Sequence, residues 1–140
     1  MKIQFVCLLL ALVFVPVFSQ DAKVKKLFGK FKEQHIYTKT FTNCDKAMSG
    51  VEINLCKEKN TFILASTTKV KSVCRDKGEP YQGLTKSLQR FDIVVCKLEK
   101  QGTKPAKCHY SRKNLNKKIV IKCEKGLPVH YVRDIDHCEN

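Results

Sequence analysis

Cys56-Lys57-Glu58-Lys59-Asn60-Thr61-Phe62 is the stretch on which the fold of this chain turns. It opens on a half-cystine candidate and a lysine. It closes on an amide, a hydroxyl and an aromatic that begins the apolar run Phe62-Ile63-Leu64-Ala65. Gln34-His35 stands upstream and Pro128-Val129-His130 downstream. The three segments together supply two imidazoles and an ammonium that could meet on one phosphate. The remaining sequence has to bring them together.

The chain starts with a short positive region at Lys2, an apolar run from Ile3 to Phe18, and the compact residues Val17-Phe18-Ser19. That pattern is a secretory signal peptide over residues 1–19. The run is shorter than the roughly 20 residues a membrane span needs. The expected mature chain, 20–140, has the length of one small domain. Its formal charge of +14 becomes +13 when Lys2 leaves. Lysine and arginine are spread along the whole chain, and a domain this basic attracts polyanions: RNA, DNA, glycans or anionic membranes.

Secretion makes disulfides expected. Of the eight cysteines, Cys7 departs with the leader and seven remain: Cys44, Cys56, Cys74, Cys96, Cys108, Cys123 and Cys138. Three bridges leave one thiol over. Six cysteines alone allow about 15 pairings, so spacing leaves the connectivity open.

Helical signals come first. Val24, Leu27, Phe28 and Phe31 fall at i, i+3, i+4 and i+7, and His35 continues the stripe four residues later. Asn43-Cys44-Asp45 predicts the cap of a short helix over Lys46 to Ser49, ended by Gly50. Ser66 or Thr67 caps a third, with Val70, Val73 and Cys74 inward. Strand signals dominate afterwards. Thr61 to Ala65 and Phe91 to Leu98 read as buried strands, Lys107 to Arg112 and Lys118 to Cys123 as two more, and Val129 to Val132 as the last. Turns are predicted at Lys77-Gly78-Glu79-Pro80, Gln82-Gly83, 101–105, Lys113-Asn114-Leu115-Asn116 and Lys125-Gly126-Leu127-Pro128. Helices early and hairpins late predict an α+β fold.

Several chemistries lack their motif. There is no Gly-rich phosphate loop, no Cys-x-x-Cys pair and no Gly-x-Ser-x-Gly elbow. His137-Cys138 would bind a metal only with distant partners, so neither metal nor cofactor is expected. His35, Lys57 and His130 remain. Two histidines suit a reaction that needs a base and then an acid near neutral pH. A lysine beside them would stabilise charge building on a phosphoryl oxygen.

On these residues the chain resembles the secreted pancreatic-type ribonuclease superfamily, closest in pattern to angiogenin-like fish and amphibian members. Lys30-Phe31-Lys32-Glu33-Gln34-His35 resembles the first catalytic helix. The heptapeptide matches the signature Cys-Lys-x-x-Asn-Thr-Phe, and Pro128-Val129-His130-Tyr131 the second histidine motif. The resemblance implies three short helices on a V-shaped antiparallel sheet, with bridges Cys44–Cys96, Cys56–Cys108 and Cys74–Cys123. It implies a metal-independent endoribonuclease that cleaves single-stranded RNA 3′ of pyrimidines. His35 would be the base, His130 the acid and Lys57 the charge stabiliser. Gln34 and the Tyr131 N–H would hold phosphate oxygens. Thr61 would read a pyrimidine edge in a pocket shaped by Phe62, and Asn60 would help orient His35. Glu124 would meet the downstream base and Lys30 a flanking phosphate.

The match has departures. Val132 stands where an aspartate usually supports the second histidine, and Val95 replaces an acid that some members use near the pyrimidine, leaving the cytosine-uracil bias open. The partner position of Cys138 is Val120, so Cys138 is expected as a free thiol. The protein is expected outside the cell as a monomer, a Cys138-linked dimer being the alternative. The charge also supports a second reading: an angiogenin-like signalling or antibacterial protein acting through its basic surface. Its partners would be anionic bacterial membranes, glycans or a cell-surface receptor.

Overall fold

The computed structural model describes residues 20–51, 56–100 and 108–136. The expected signal peptide, the turn over 101–105, His137 and Cys138 lie outside them. Residues 20–35 form helix α1. α2 (Cys44–Ser49), β1 (Lys59–Ile63), α3 (Thr67–Ser72), β2 (Gly78–Tyr81), β3 (Leu84–Ser87), β4 (Phe91–Lys100), β5 (His109–Glu124) and β6 (Leu127–Ile135) follow. All strand pairs are antiparallel, in the order β1-β4-β5-β3-β2, with β6 also on β5. β5 is the shared spine of the V. Its first half pairs with β4, and its second half with β3 on one edge and β6 on the other.

Period-2 alternation puts opposite faces of the sheet into separate cores. Ile63 and Ile93 are cross-strand partners, and both join Phe31, Val70, Val73, Phe91, Ile119 and Ile121 beneath α1 and α3. Phe62 and Val94 are the next pair, and join Cys44, Ala47, Met48 and Cys96 beneath α2. β1 is therefore buried on both faces. Full burial of a side chain such as Phe31 contributes about 2–3 kcal/mol. The short helices have the predicted caps: Asn43 accepts from the Lys46 N–H at 2.8 Å, and Ser66 from the Lys69 N–H at 3.1 Å.

Disulfides join Cys44 to Cys96, Cys56 to Cys108 and Cys74 to Cys123. The first ties α2 to β4 and the third ties the end of α3 to β5. The second fixes the segment before β1 against the start of β5.

Two expectations are corrected. Lys113-Asn114-Leu115-Asn116 is not a turn. It lies inside β5, paired in unbroken register with Val95, Val94, Ile93 and Asp92. Its turn-forming asparagines are overridden by that ladder, and Asn116 donates to Asp92 at 2.9 Å. Gly78-Glu79-Pro80, expected in a turn, instead pair as part of β2, while Gln82-Gly83 is a turn as expected, the one that closes the hairpin β2–β3. Its two-residue turn places Gln82 at φ 51° and Gly83 at φ 78°, and Lys125-Gly126 repeats that geometry between β5 and β6. Gly50 ends α2 as expected, in a right-handed conformation with φ −84°.

Candidate active site

The last turn of α1 delivers His35 to β1. Phe31, one turn earlier, is buried and anchors the helix, with its ring 5.3 Å from the imidazole. The Tyr131 ring stacks on the imidazole, also at 5.3 Å. The His35 Nδ1–H donates to the Thr61 carbonyl at 2.9 Å. That bond selects the tautomer and leaves Nε2 as the free basic nitrogen.

Burial is the largest influence on His35 and lowers its pKa from 6.5 to about 4; the bond to Thr61 opposes this, and the charges of Lys57 and His130 add to it. The ring is consequently neutral at neutral pH. Stability should respond. Above about pH 6.5 the ring is uncharged in both folded and unfolded chains, so it carries no penalty. Between 6.5 and 4 the unfolded chain takes up the proton first and stability falls. Below about 4 the folded ring protonates too and the loss levels off, at a size on the order of 3 kcal/mol. Urea unfolding of wild type and His35→Gln at pH 7 and pH 4 measures it. The wild type should lose more stability than the variant. Equal losses would mean the imidazole is not desolvated.

Lys57 comes from the irregular residues before β1. Its ammonium donates to Asn60 Oδ1 at 3.0 Å, and Asn60 Nδ2 donates to the Gln34 carbonyl at 2.7 Å. Asn60 thus couples the cation to the helix end that carries His35. The Lys57 carbonyl accepts from the Tyr110 hydroxyl at 2.8 Å, and the Tyr110 N–H donates to Asp45 at 2.8 Å. Tyr110 went unnoticed in the sequence; its place two residues after Cys108 is the only signal for it.

His35, Lys57, Lys59, Asn60, Thr61, Tyr131, Val132, Arg133 and Asp134 line one cavity of about 260 Å³. His130 is exposed and borders a different cavity of about 650 Å³ with Gln20, Lys23, Val24, Leu27, Lys122, Glu124 and Lys125. The structure thus brings His35 and Lys57 to one cavity and leaves His130 outside it, its charge making the smallest contribution to the lowered His35 pKa. Two irregularities in β6 aim these side chains. The β5–β6 register skips Val129 and Val132, on either side of His130-Tyr131. Bulges of this kind redirect side chains beside functional clefts.

The other expected residues are distributed unevenly. Thr61 and the Tyr131 ring lie in the His35 cavity, and Glu124 lies beside His130 with Lys122 at 3.4 Å. Gln34 is half-buried and its carbonyl is held by Asn60. Lys30 is exposed on the α1 face that also carries Lys23 and Leu27. Phe62 differs from expectation. It is one residue past Thr61 on a strand, so it faces the opposite side, packed on Tyr37 and Phe41 under α2. It shapes the core rather than the Thr61 cavity. Arg133 and Asp134 were not anticipated as lining residues. The Tyr131 hydroxyl is buried; burial first, and the Asp134 charge second, push its pKa upward, the Thr61 side chain opposes them, and the phenol stays protonated.

A family model described as pancreatic ribonuclease matches residues 26–132, and the chain belongs to that family. Within it the pattern is angiogenin-like. Ribonuclease-like 3 of Danio rerio is 32% identical over 140 residues, covering 93% of each chain. Angiogenin-1 of Bos taurus is 41% identical over 78 residues, 54% of this chain and 52% of that protein. The X-ray structure of zebrafish RNase5 superposes with a TM-score of 0.73 at 39% identity, covering 79% of this chain and 96% of the other. The chain is accordingly an RNase-type enzyme, with RNA as its substrate class.

Proposed function

We propose that the protein is a secreted endoribonuclease that cleaves single-stranded RNA 3′ of pyrimidines through a 2′,3′-cyclic phosphate. The observation that carries this reading is the state of His35: neutral, its Nδ1–H committed to Thr61, and its Nε2 free in a cavity shared with Lys57. Nε2 takes the proton of the ribose 2′-hydroxyl. The resulting oxyanion attacks the adjacent phosphorus, and the bond to the 5′-oxygen breaks. His130 supplies the proton to that leaving oxygen, and Lys57 stabilises the charge on the pentacoordinate phosphorane. Hydrolysis of the cyclic phosphate runs with the roles of the histidines exchanged. Gln34 and the Tyr131 N–H hold phosphate oxygens, and the Thr61 hydroxyl, a donor and an acceptor, pairs with a pyrimidine edge. Glu124, beside His130, meets the downstream base, and Lys30 a flanking phosphate.

The test uses defined dinucleotides. CpA and UpA should give the 2′,3′-cyclic nucleotide first, and their 2′-deoxy counterparts should remain intact because the nucleophile is missing. Cleavage of the deoxy substrates, or a product bearing a 5′-phosphate, would overturn the reading. RNA affinity should also fall by about 0.7 log units per tenfold salt for each phosphate contact.

The excess of 27 basic over 13 acidic residues supports a second role in host defence or cell stimulation, at anionic bacterial membranes, glycans or a receptor. A folded His35→Ala variant separates the two. Killing that survives the substitution belongs to the basic surface, and killing that disappears belongs to catalysis.

A further inference from the structure

We infer that Asp134 selects the base on the 5′ side of the cleaved bond, favouring cytosine, which carries an exocyclic amine, over uracil. The inference rests on the reading of the His35 cavity as the pyrimidine site.

Thr61 cannot make this choice. Its hydroxyl can accept from the N3–H of uracil or donate to the N3 of cytosine. Across the sheet it faces Val95, its β4 partner, whose side chain has no polar group to add. The two bases differ next at C4, which bears an oxygen in uracil and an amine in cytosine. Whatever polar group of the cavity meets that position decides.

Among the described residues Asp134 is the single acidic one lining the cavity. Its side chain is 24% exposed, and the Lys117 ammonium holds Oδ1 at 3.2 Å. Lys117 also bonds Asp136 at 2.7 Å, so the cation is shared and Asp134 is fixed rather than neutralised. Its second oxygen is available to a donor. An ionised carboxylate only accepts, so it matches the N4 amine of cytosine and repels the O4 of uracil. Tyr131 and Thr61 line the same cavity as Asp134. Lys59 and Arg133 line the cavity too, but Arg133 is committed elsewhere: its guanidinium donates to the Tyr81 hydroxyl at 3.2 Å and to the Asp134 carbonyl at 3.4 Å.

The experiment compares kcat/KM for CpA and UpA in wild type, Asp134→Asn and Asp134→Ala. The same proteins are then titrated with cytidine 3′-phosphate and uridine 3′-phosphate. Asparagine keeps the shape and an oxygen for Lys117 but adds an amide donor, so it guards against a variant that fails through misfolding. Wild type should favour the cytosine ligand by about tenfold, and Asp134→Asn should bring the ratio close to one. A wild-type preference for uracil, or a ratio that survives both substitutions, would overturn the inference. Should neither dinucleotide be cleaved, the proposed activity fails instead, and the nucleotide affinities still decide the role of Asp134.

Discussion

Alanine at His35 is expected to lower kcat/KM on CpA by about 10³-fold, within the 10²–10⁴ span of a positioned proton-transfer group. Among the described residues no second imidazole lines the cavity, and its one carboxylate is ion-paired. Lys57 is a cation bonded to Asn60, Asn60 is an amide, and Asp134 is held by Lys117. His130→Ala should cost a similar factor, and the double variant little more than either single one, because the two act as a unit. Lys57→Ala should cost about 10²–10³, and it should also move the pH profile. The Lys57 charge helps hold His35 below its ordinary pKa. Removing it lets the imidazole keep its proton to higher pH, so the acidic limb of kcat/KM should shift upward. The limbs are macroscopic values of the coupled set, so the shift rather than the absolute position is diagnostic. Activity within tenfold of wild type in His35→Ala would remove the base assigned here.

The meeting of His35 with Lys57 and Thr61 in one cavity was legible in part, because α1 and β1 follow the periodicities that the sequence shows, whereas His130 lines a different cavity. The α1 stripe Val24, Leu27, Phe28, Phe31 is inward-facing, Val24 and Phe31 fully so, and it sets the direction of His35. Thr61 and Phe62 were legible as a buried strand, but not by face, because β1 is buried on both sides. A sequence that is apolar on alternate and intervening positions does not say which side holds the cavity. Asn114 and Asn116 misled for a different reason. Their local preference is for a turn, and only the ladder to β4, made by residues about twenty positions earlier, keeps β5 extended. Asp134 stands four residues after His130, and its cavity position depends on the register skip at Val132. A one-residue skip reverses which side chains share a face, and no local pattern announces it.

Removing the Cys44–Cys96 bridge as a double alanine variant is expected to destabilise the fold by more than removing Cys56–Cys108, although both span 52 residues. Loop closure in the unfolded chain is then the same for each, about 4 kcal/mol in the chain-entropy model. The difference comes from the folded side. Cys44 and Cys96 are both buried in the core that includes Met48, Phe62 and Val94, so alanine there also removes packing, for about 1–2 kcal/mol more. In the other bridge Cys108 is buried but Cys56 is only half-buried, so less packing is lost. That bridge matters in another way: Cys56 immediately precedes Lys57, and Cys108 lies two residues before Tyr110, whose hydroxyl holds the Lys57 carbonyl. Loss of that tether frees the ammonium from its place beside His35. The two variants should therefore rank oppositely in the two measurements. Urea midpoints should fall further for Cys44→Ala/Cys96→Ala. Measured on protein that remains folded, kcat/KM should fall further for Cys56→Ala/Cys108→Ala. If one variant were worse on both scales, the bridge at Cys56 would be a stabiliser alone, and the placing of Lys57 would have to come from Asn60 and Tyr110 without it.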